Sequence, residues 1–296
     1  MLPPIQDRAY GALIGLAVGD ALGATLEFEE RDELPHHTEM LGGGPFALNP
    51  GQWTDDTSMA IALAESLIAH PEFDPVDVMK RFVRWADHGD YSCTGTCFDI
   101  GITTRLALNQ FHKTGEPYAG STDPESAGNG SIMRLSPVAL ITVSDAARGR
   151  RMAADQCRLT HAAPACIEGC VFLVEVLRNF IRGEESGLSM PRFDCRPISE
   201  VAAGTYRNKG REQIRSSGYV VHTLEAALWA VHSTHSFEDA LVMAVNLGGD
   251  ADTVGAVAGQ IAGARYGLSA IPKRWLEPLA WRNKLEALAS DLVRLG

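Results

Sequence analysis

Basic charge is scarce in this chain. Its 26 lysines and arginines face 37 aspartates and glutamates, a net charge of −11 over 296 residues. Binding to a phosphate backbone rests on clustered cations, so nucleic acid is not an expected partner. There is no Cys-x-x-Cys pair among Cys93, Cys97, Cys157, Cys166, Cys170 and Cys195. A chain of this length buries enough surface to fold without disulfides or a structural metal. The thiols therefore read as reduced and mostly buried. Cys166 and Cys170 share a helix face, but nothing beside them completes a zinc set. No basic segment followed by an apolar stretch opens the sequence, so no signal peptide is expected. The most apolar run, YGALIGLAVGDALGATL (10–26), carries Asp20 in its middle and falls short of the roughly 20 residues a bilayer needs. No membrane span is expected, and the cytoplasm is the expected compartment. The absence of G-x-S-x-G removes support for a serine hydrolase.

Helical periodicity is what the chain has in abundance. Apolar residues recur at three- and four-residue steps over 7–26, 57–70, 75–88, 100–113, 130–142, 145–158, 164–182, 220–233, 237–246, 252–266 and 276–294. Asp74 before Pro75 is a good helix start. No alternating runs flank a hairpin turn, and no fixed repeat is present. The expectation is an all-α fold, one globular multi-helix domain over 1–296, with longer loops at 29–53, 114–130 and 184–198. Glycine is also unusually placed: Gly11, Gly15, Gly19 and Gly23 recur every fourth residue. Glycine costs about 1 kcal/mol against alanine inside a helix. Close approach of two helices is one return, crowding of helices around a central site another.

Chemistry concentrates in two acidic stretches. TDDT (54–57) and GGDADT (248–253) each open a helix, where free N–H groups and the helix dipole favour carboxylates. Capping uses one oxygen-bearing side chain, yet Thr54, Asp55, Asp56 and Thr57 supply four, and Asp250, Asp252 and Thr253 three more. Adjacent carboxylates repel unless a cation offsets them, and hard divalent ions prefer such oxygen ligands. Two clusters converging in space would suit a pair of ions. Caps and surface acids remain the alternative. Asp20 and Glu27, seven apart, lie on roughly one face of the first helix. SAGNGSIMR (126–134) is a glycine-rich lead-in whose amides could cradle a phosphate. His161 sits between two helices, where a structural role is the more frequent one.

The ordered set GALIGLAVGDALGATLEF, GQWTDDTSMAIAL, FDIGITTRLAL, GNGSIMR, THAAPAC and GGDADTVGAVAGQIAGARYG resembles the ADP-ribosylglycohydrolase family, which includes the dinitrogen reductase-activating glycohydrolase. The likeness runs from about Asp7 to about Trp281. It implies an all-α globule around two divalent cations, Mg2+ or Mn2+. It also implies hydrolysis that releases ADP-ribose from modified protein side chains, arginine first among them, or from small ADP-ribose conjugates. By motif, Thr54, Asp55, Asp56, Asp250, Asp252 and Thr253 resemble the metal set. Glu27 and Asp99 resemble cleft acids with catalytic roles. Gly128, Asn129, Gly130 and Ser131 look like the phosphate loop, and His161 like a residue along the distal ribose. Where the family often has Asn, this chain has Ile102. A module that binds ADP-ribose without turnover and a metal-dependent phosphoesterase are the alternatives.

Overall fold

In the computed structural model, which describes residues 3–184 and 190–296, the chain is helical throughout, with no β-sheet among those residues and three isolated bridges only. The helices are α1 (Ile5–Gly23), α2 (Asp55–Ala69), α3 (Pro75–His88), α4 (Ile102–Thr114), α5 (Ser136–Ile141), α6 (Ala146–Arg158), α7 (Pro164–Arg182), α8 (Arg196–Ala202), α9 (Val220–Ser233), α10 (Phe237–Val245), α11 (Ala251–Tyr266), α12 (Lys273–Leu276) and α13 (Arg282–Leu295). Asp74 caps α3 as its position predicts, accepting from the Val76 and Asp77 amides at 2.9 and 3.1 Å.

Two helices form the centre. α1 is buried from Gly11 to Gly23, and α11 from Ala251 to Ala264. Apolar and small residues surround both on all sides, which is why neither has a polar face. They pack antiparallel in the most extensive helix contact of the molecule. Gly11 faces Gly263, Gly15 faces Gly259, Gly19 faces Gly255, and Gly23 faces Ala251. A Cβ at any of these α1 positions would overlap the facing carbonyl, so the strip serves backbone-to-backbone approach. α1 and the short 3-10 turn after it (Ala24–Leu26) form a 22-residue stretch, longer than the 10–26 run suggests, whose most apolar 18-residue window has a mean hydropathy of 1.4. By length and composition this stretch could cross a bilayer; here 89% of its most apolar window is buried in the fold.

Several expected elements differ. The helix expected over 130–142 is a turn until Ser136: Pro137 has no N–H for the Met133 carbonyl, and the Gln156 and Gln260 side chains take the Ser131, Ile132 and Met133 carbonyls instead. The expected 276–294 helix is interrupted: Pro278 follows α12, and Trp281 stands at φ 55°, outside helical space. The loop expected over 184–198 ends earlier, at α8, whose Pro197 suits a first turn. Residues 185–189 of that loop lie outside the described residues. Three cysteines are buried (Cys157, Cys166, Cys170) and three are half-buried, so burial is less general than expected; all six are free thiols.

Candidate metal centre and active site

The antiparallel pairing brings the C-terminal end of α1 to the N-terminal end of α11. Asp20 lies in the last turn of α1. Glu27 lies beyond it in extended backbone, so the two do not share a helix face as their spacing suggests. Each instead reaches the start of a different helix.

Asp20 is fully buried and takes α2. Its Oδ1 accepts from the Thr54 amide at 2.8 Å and the Thr54 hydroxyl at 2.9 Å. Its Oδ2 accepts from the Thr57 amide at 3.0 Å and the Thr57 hydroxyl at 2.6 Å. Glu27 takes α11: its Oε2 accepts from the Ala251 amide at 2.7 Å and the Asp252 amide at 3.3 Å. Both helix starts are therefore capped by acids from the end of α1. Neither Thr54 nor Asp250 caps its own helix with its side chain. The aspartates of the two motifs are left with another task.

That task is visible in what they lack. One oxygen each of Asp20, Asp56 and Asp252 lie within 4.8 Å of one another, and a second such group joins Glu27, Asp250 and Asp252. Asp56 Oδ1 and Asp252 Oδ2 are buried and have no hydrogen-bond partner among the described residues. A buried orphan carboxylate oxygen is costly unless a cation meets it. Burial, then the negative Asp252, push Asp55 and Asp56 well above the usual carboxylate range. The same two causes raise Asp20 to about 7 and Asp250 to about 6. Burial, with Asp55 and Asp252 next, pushes Asp99 up to about 11; burial with Asp252 and Asp250 pushes Glu27 up to about 12. An all-oxygen set of this kind fits hard divalent ions, and these acid clusters could hold a metal ion.

The centre opens into a cleft of about 580 Å³ lined by Glu27, Asp55, Asp99, Asp250, Asp252 and Thr253, with Gly128, Asn129, Gly130 and His161 on another wall. Thr54, Asp56 and Ser131 lie behind that lining. The Thr54 hydroxyl contacts Asp56 at 3.3 Å as well as Asp20. The Ser131 hydroxyl faces the core, accepting from the Cys157 and Cys170 thiols at 3.2 and 3.4 Å. In the glycine-rich loop, the Gly128 amide bonds to the Ser126 carbonyl and the Asn129 amide to the Gly218 carbonyl. Among the described residues the Gly130 and Ser131 amides make no backbone bond of that kind; Gly130 lines the cleft, whereas Ser131 is fully buried behind it. Asn129 uses its side chain for positioning, donating to Asp250 Oδ2 and Thr223 Oγ1, both at 3.0 Å. Asp99 stands at φ 59°, a left-handed conformation that Asp tolerates better than most residues.

Sequence reasoning does not find Phe28, Thr104, Arg105, Met133 or Gly218, which also line the cleft. Phe28 is 66% exposed and meets Phe46 edge-on at 6.2 Å; Phe46 in turn meets Phe98 at 5.1 Å, beside Asp99. Phe28 and Phe98 carry a sequence signal in their adjacency to Glu27 and Asp99, and Phe46 carries none. Ile102 lines the mouth at 79% exposure.

A family model described as ADP-ribosylglycohydrolase matches residues 1–296. This chain belongs to the ADP-ribosylglycohydrolase family. It is 48% identical to the ADP-ribosylarginine hydrolase Tri1 of Serratia proteamaculans, across 98% of this chain and 80% of that protein. It is 37% identical to the ADP-ribosyl-[dinitrogen reductase] glycohydrolase of Rhodospirillum rubrum, across 96% and 94%. A solved structure titled ADP-ribosylglycohydrolase-related protein complex superposes with a TM-score of 0.83 at 42% identity, covering 98% of both chains. Within this family member, the cleft and its acid clusters occupy one end of the α1–α11 pair.

Proposed function

We propose that the chain is a metal-dependent hydrolase that cleaves the glycosidic bond between ADP-ribose and a modified arginine side chain. The observation that supports this most is the pair of orphan oxygens on Asp56 and Asp252, in acid clusters whose capping work is done by Asp20 and Glu27. The similarity to ADP-ribosylarginine hydrolases at 48% and 46% identity supports the substrate class. Thr54, Asp55, Asp56, Asp250, Asp252 and Thr253 would hold two divalent cations, Mg2+ or Mn2+. When bound, the ions supply charge stabilisation and an activated water.

The chain's own groups do the rest. Glu27 has one oxygen tied to the α11 amides, which fixes the carboxyl and leaves the other oxygen for the cleft. Glu27 and Asp99 are the proton carriers: cleavage through an oxocarbenium-like state needs a proton delivered to the departing guanidine nitrogen. The Gly130 amide receives the diphosphate. Ser131 stays in the core behind it, its hydroxyl accepting from the Cys157 and Cys170 thiols. We read residues 1–296 as one domain of this kind, acting in the cytoplasm on a modified protein or a small ADP-ribose conjugate.

The test is product analysis on ADP-ribosyl-arginine with Mg2+, with Mn2+ and with chelator. Free ADP-ribose and arginine, lost on chelation and in Asp252→Asn, support the reading. AMP as the product would point to a phosphoesterase, binding without product to a recognition module, and full turnover in chelator overturns the proposal.

A further inference from the structure

Below the glycine-rich loop lies Arg134, fully buried, whose guanidinium has no carboxylate among its hydrogen-bond partners within the described residues. Its Nε donates to Gln156 Oε1 at 3.1 Å, and its Nη2 to the Gln156 carbonyl at 3.2 Å and to Thr160 Oγ1 at 2.8 Å. Its Nη1 lies 3.6 Å from Met59 Sδ, and its guanidinium carbon stands 4.6 Å over the Phe82 ring. A guanidinium only donates, so Thr160 Oγ1 accepts from it, and the threonine proton must go elsewhere. Thr160 is fully buried, and among the described residues the one other group at that hydroxyl is His161 Nδ1, at 2.8 Å, so the threonine proton is donated there. Nδ1 is then the acceptor, and the ring proton sits on Nε2.

The Nε2 edge is what the cleft meets. The ring packs over the loop so closely that a Cβ at Gly128 would lie 3.3 Å from Nε2, and one at Gly130 2.8 Å from Cε1. His161 is 2% exposed, lines the cleft, and Nε2 has no hydrogen-bond partner among the described residues. Burial and the nearby Arg134 lower its pKa to about 3, consistent with an uncharged ring.

We infer that Arg134 and Thr160 are positioning residues that lock His161 in its Nε2–H form, so that it presents one neutral hydrogen-bond donor to an oxygen of the bound ligand. That this oxygen belongs to ADP-ribose rests on the proposed function; the locked ring does not.

Long-range proton–nitrogen NMR on 15N-histidine-labelled protein decides the ring state directly. The expected spectrum shows His161 with Nε2 protonated and Nδ1 accepting, unchanged from pH 8 to pH 5. A ring protonated at Nδ1, or an imidazolium in that range, overturns the inference. Thr160→Val is expected to move the Nδ1 resonance and to weaken ADP-ribose binding about tenfold in magnesium-containing calorimetry, the worth of one hydrogen bond. Thr160→Ser restores both. An unmoved Nδ1 resonance in Thr160→Val also overturns the lock. If wild-type protein fails to bind ADP-ribose, the substrate reading falls, while the NMR result still decides the ring state.

Discussion

The starts of α2 and α11 are built from similar residues and finished differently. At α2, Asp20 uses both oxygens and four hydrogen bonds, inside a fully buried pocket. At α11, Glu27 uses one oxygen for two amides and stands in the wall of the cleft. One cap is saturated and closed; the other is half-used and open. The contrast separates a residue that holds the frame from one placed to exchange a proton, although both are acids at the end of the same helix.

Breaking the closed cap is expected to have the largest effect. Asp20→Ala leaves the buried Thr54 and Thr57 amides unpaired and should lower unfolding stability by about 4 kcal/mol, read from urea titration in saturating magnesium. Next comes the open cap. Glu27→Gln keeps an oxygen for the α11 amides but cannot deliver a proton, so kcat should fall at least about 100-fold while stability changes by under about 1 kcal/mol. Equal stability losses in the two variants would erase the difference between the closed and the open cap.

The aspartates between the caps sharpen it further. Asp56→Asn removes a crowded charge, so the chelator-treated protein should gain about 1 kcal/mol while its thermal response to Mg2+ or Mn2+ flattens. The pH dependence follows the same logic. Asp20 at about 7 and Asp250 at about 6 stand above their ordinary 3.8. The folded state then binds more protons than the unfolded one between about pH 4 and pH 7, and stability falls as pH rises through that window. Metal-free protein should melt several degrees higher at pH 5 than at pH 7.5. The smallest effect is expected at the rim: Ile102→Asn should leave stability within about 0.5 kcal/mol and alter KM for ADP-ribosyl-arginine a few-fold.

The acid motifs were legible because each is contiguous: four oxygen-bearing side chains in a row at a helix start outnumber the needs of one cap. Their caps were not legible, since Asp20 and Glu27 act 34 and 224 residues away in sequence. Long periodic helices such as α7 and α9 were readable from spacing, because one apolar face is repeated over several turns. The stretch at 130–135 was not, because the distant Gln156 and Gln260 side chains hold its carbonyls and Pro137 leaves the Met133 carbonyl without a helical donor. The same limit hid the job of Asn129, which looks like a loop residue and in space orients Asp250.

The glycine strip of α1 fixes more than a packing distance. Where side chains meet, a gap can be retuned by choosing another rotamer; where carbonyls meet the Cα atoms of facing glycines, no such adjustment exists. The spacing between the α2 and α11 half-sites thus inherits the stiffness of backbone against backbone. A methyl group at Gly15, on the α11-facing strip of the helix that carries Asp20, should alter the bite of the acid cluster.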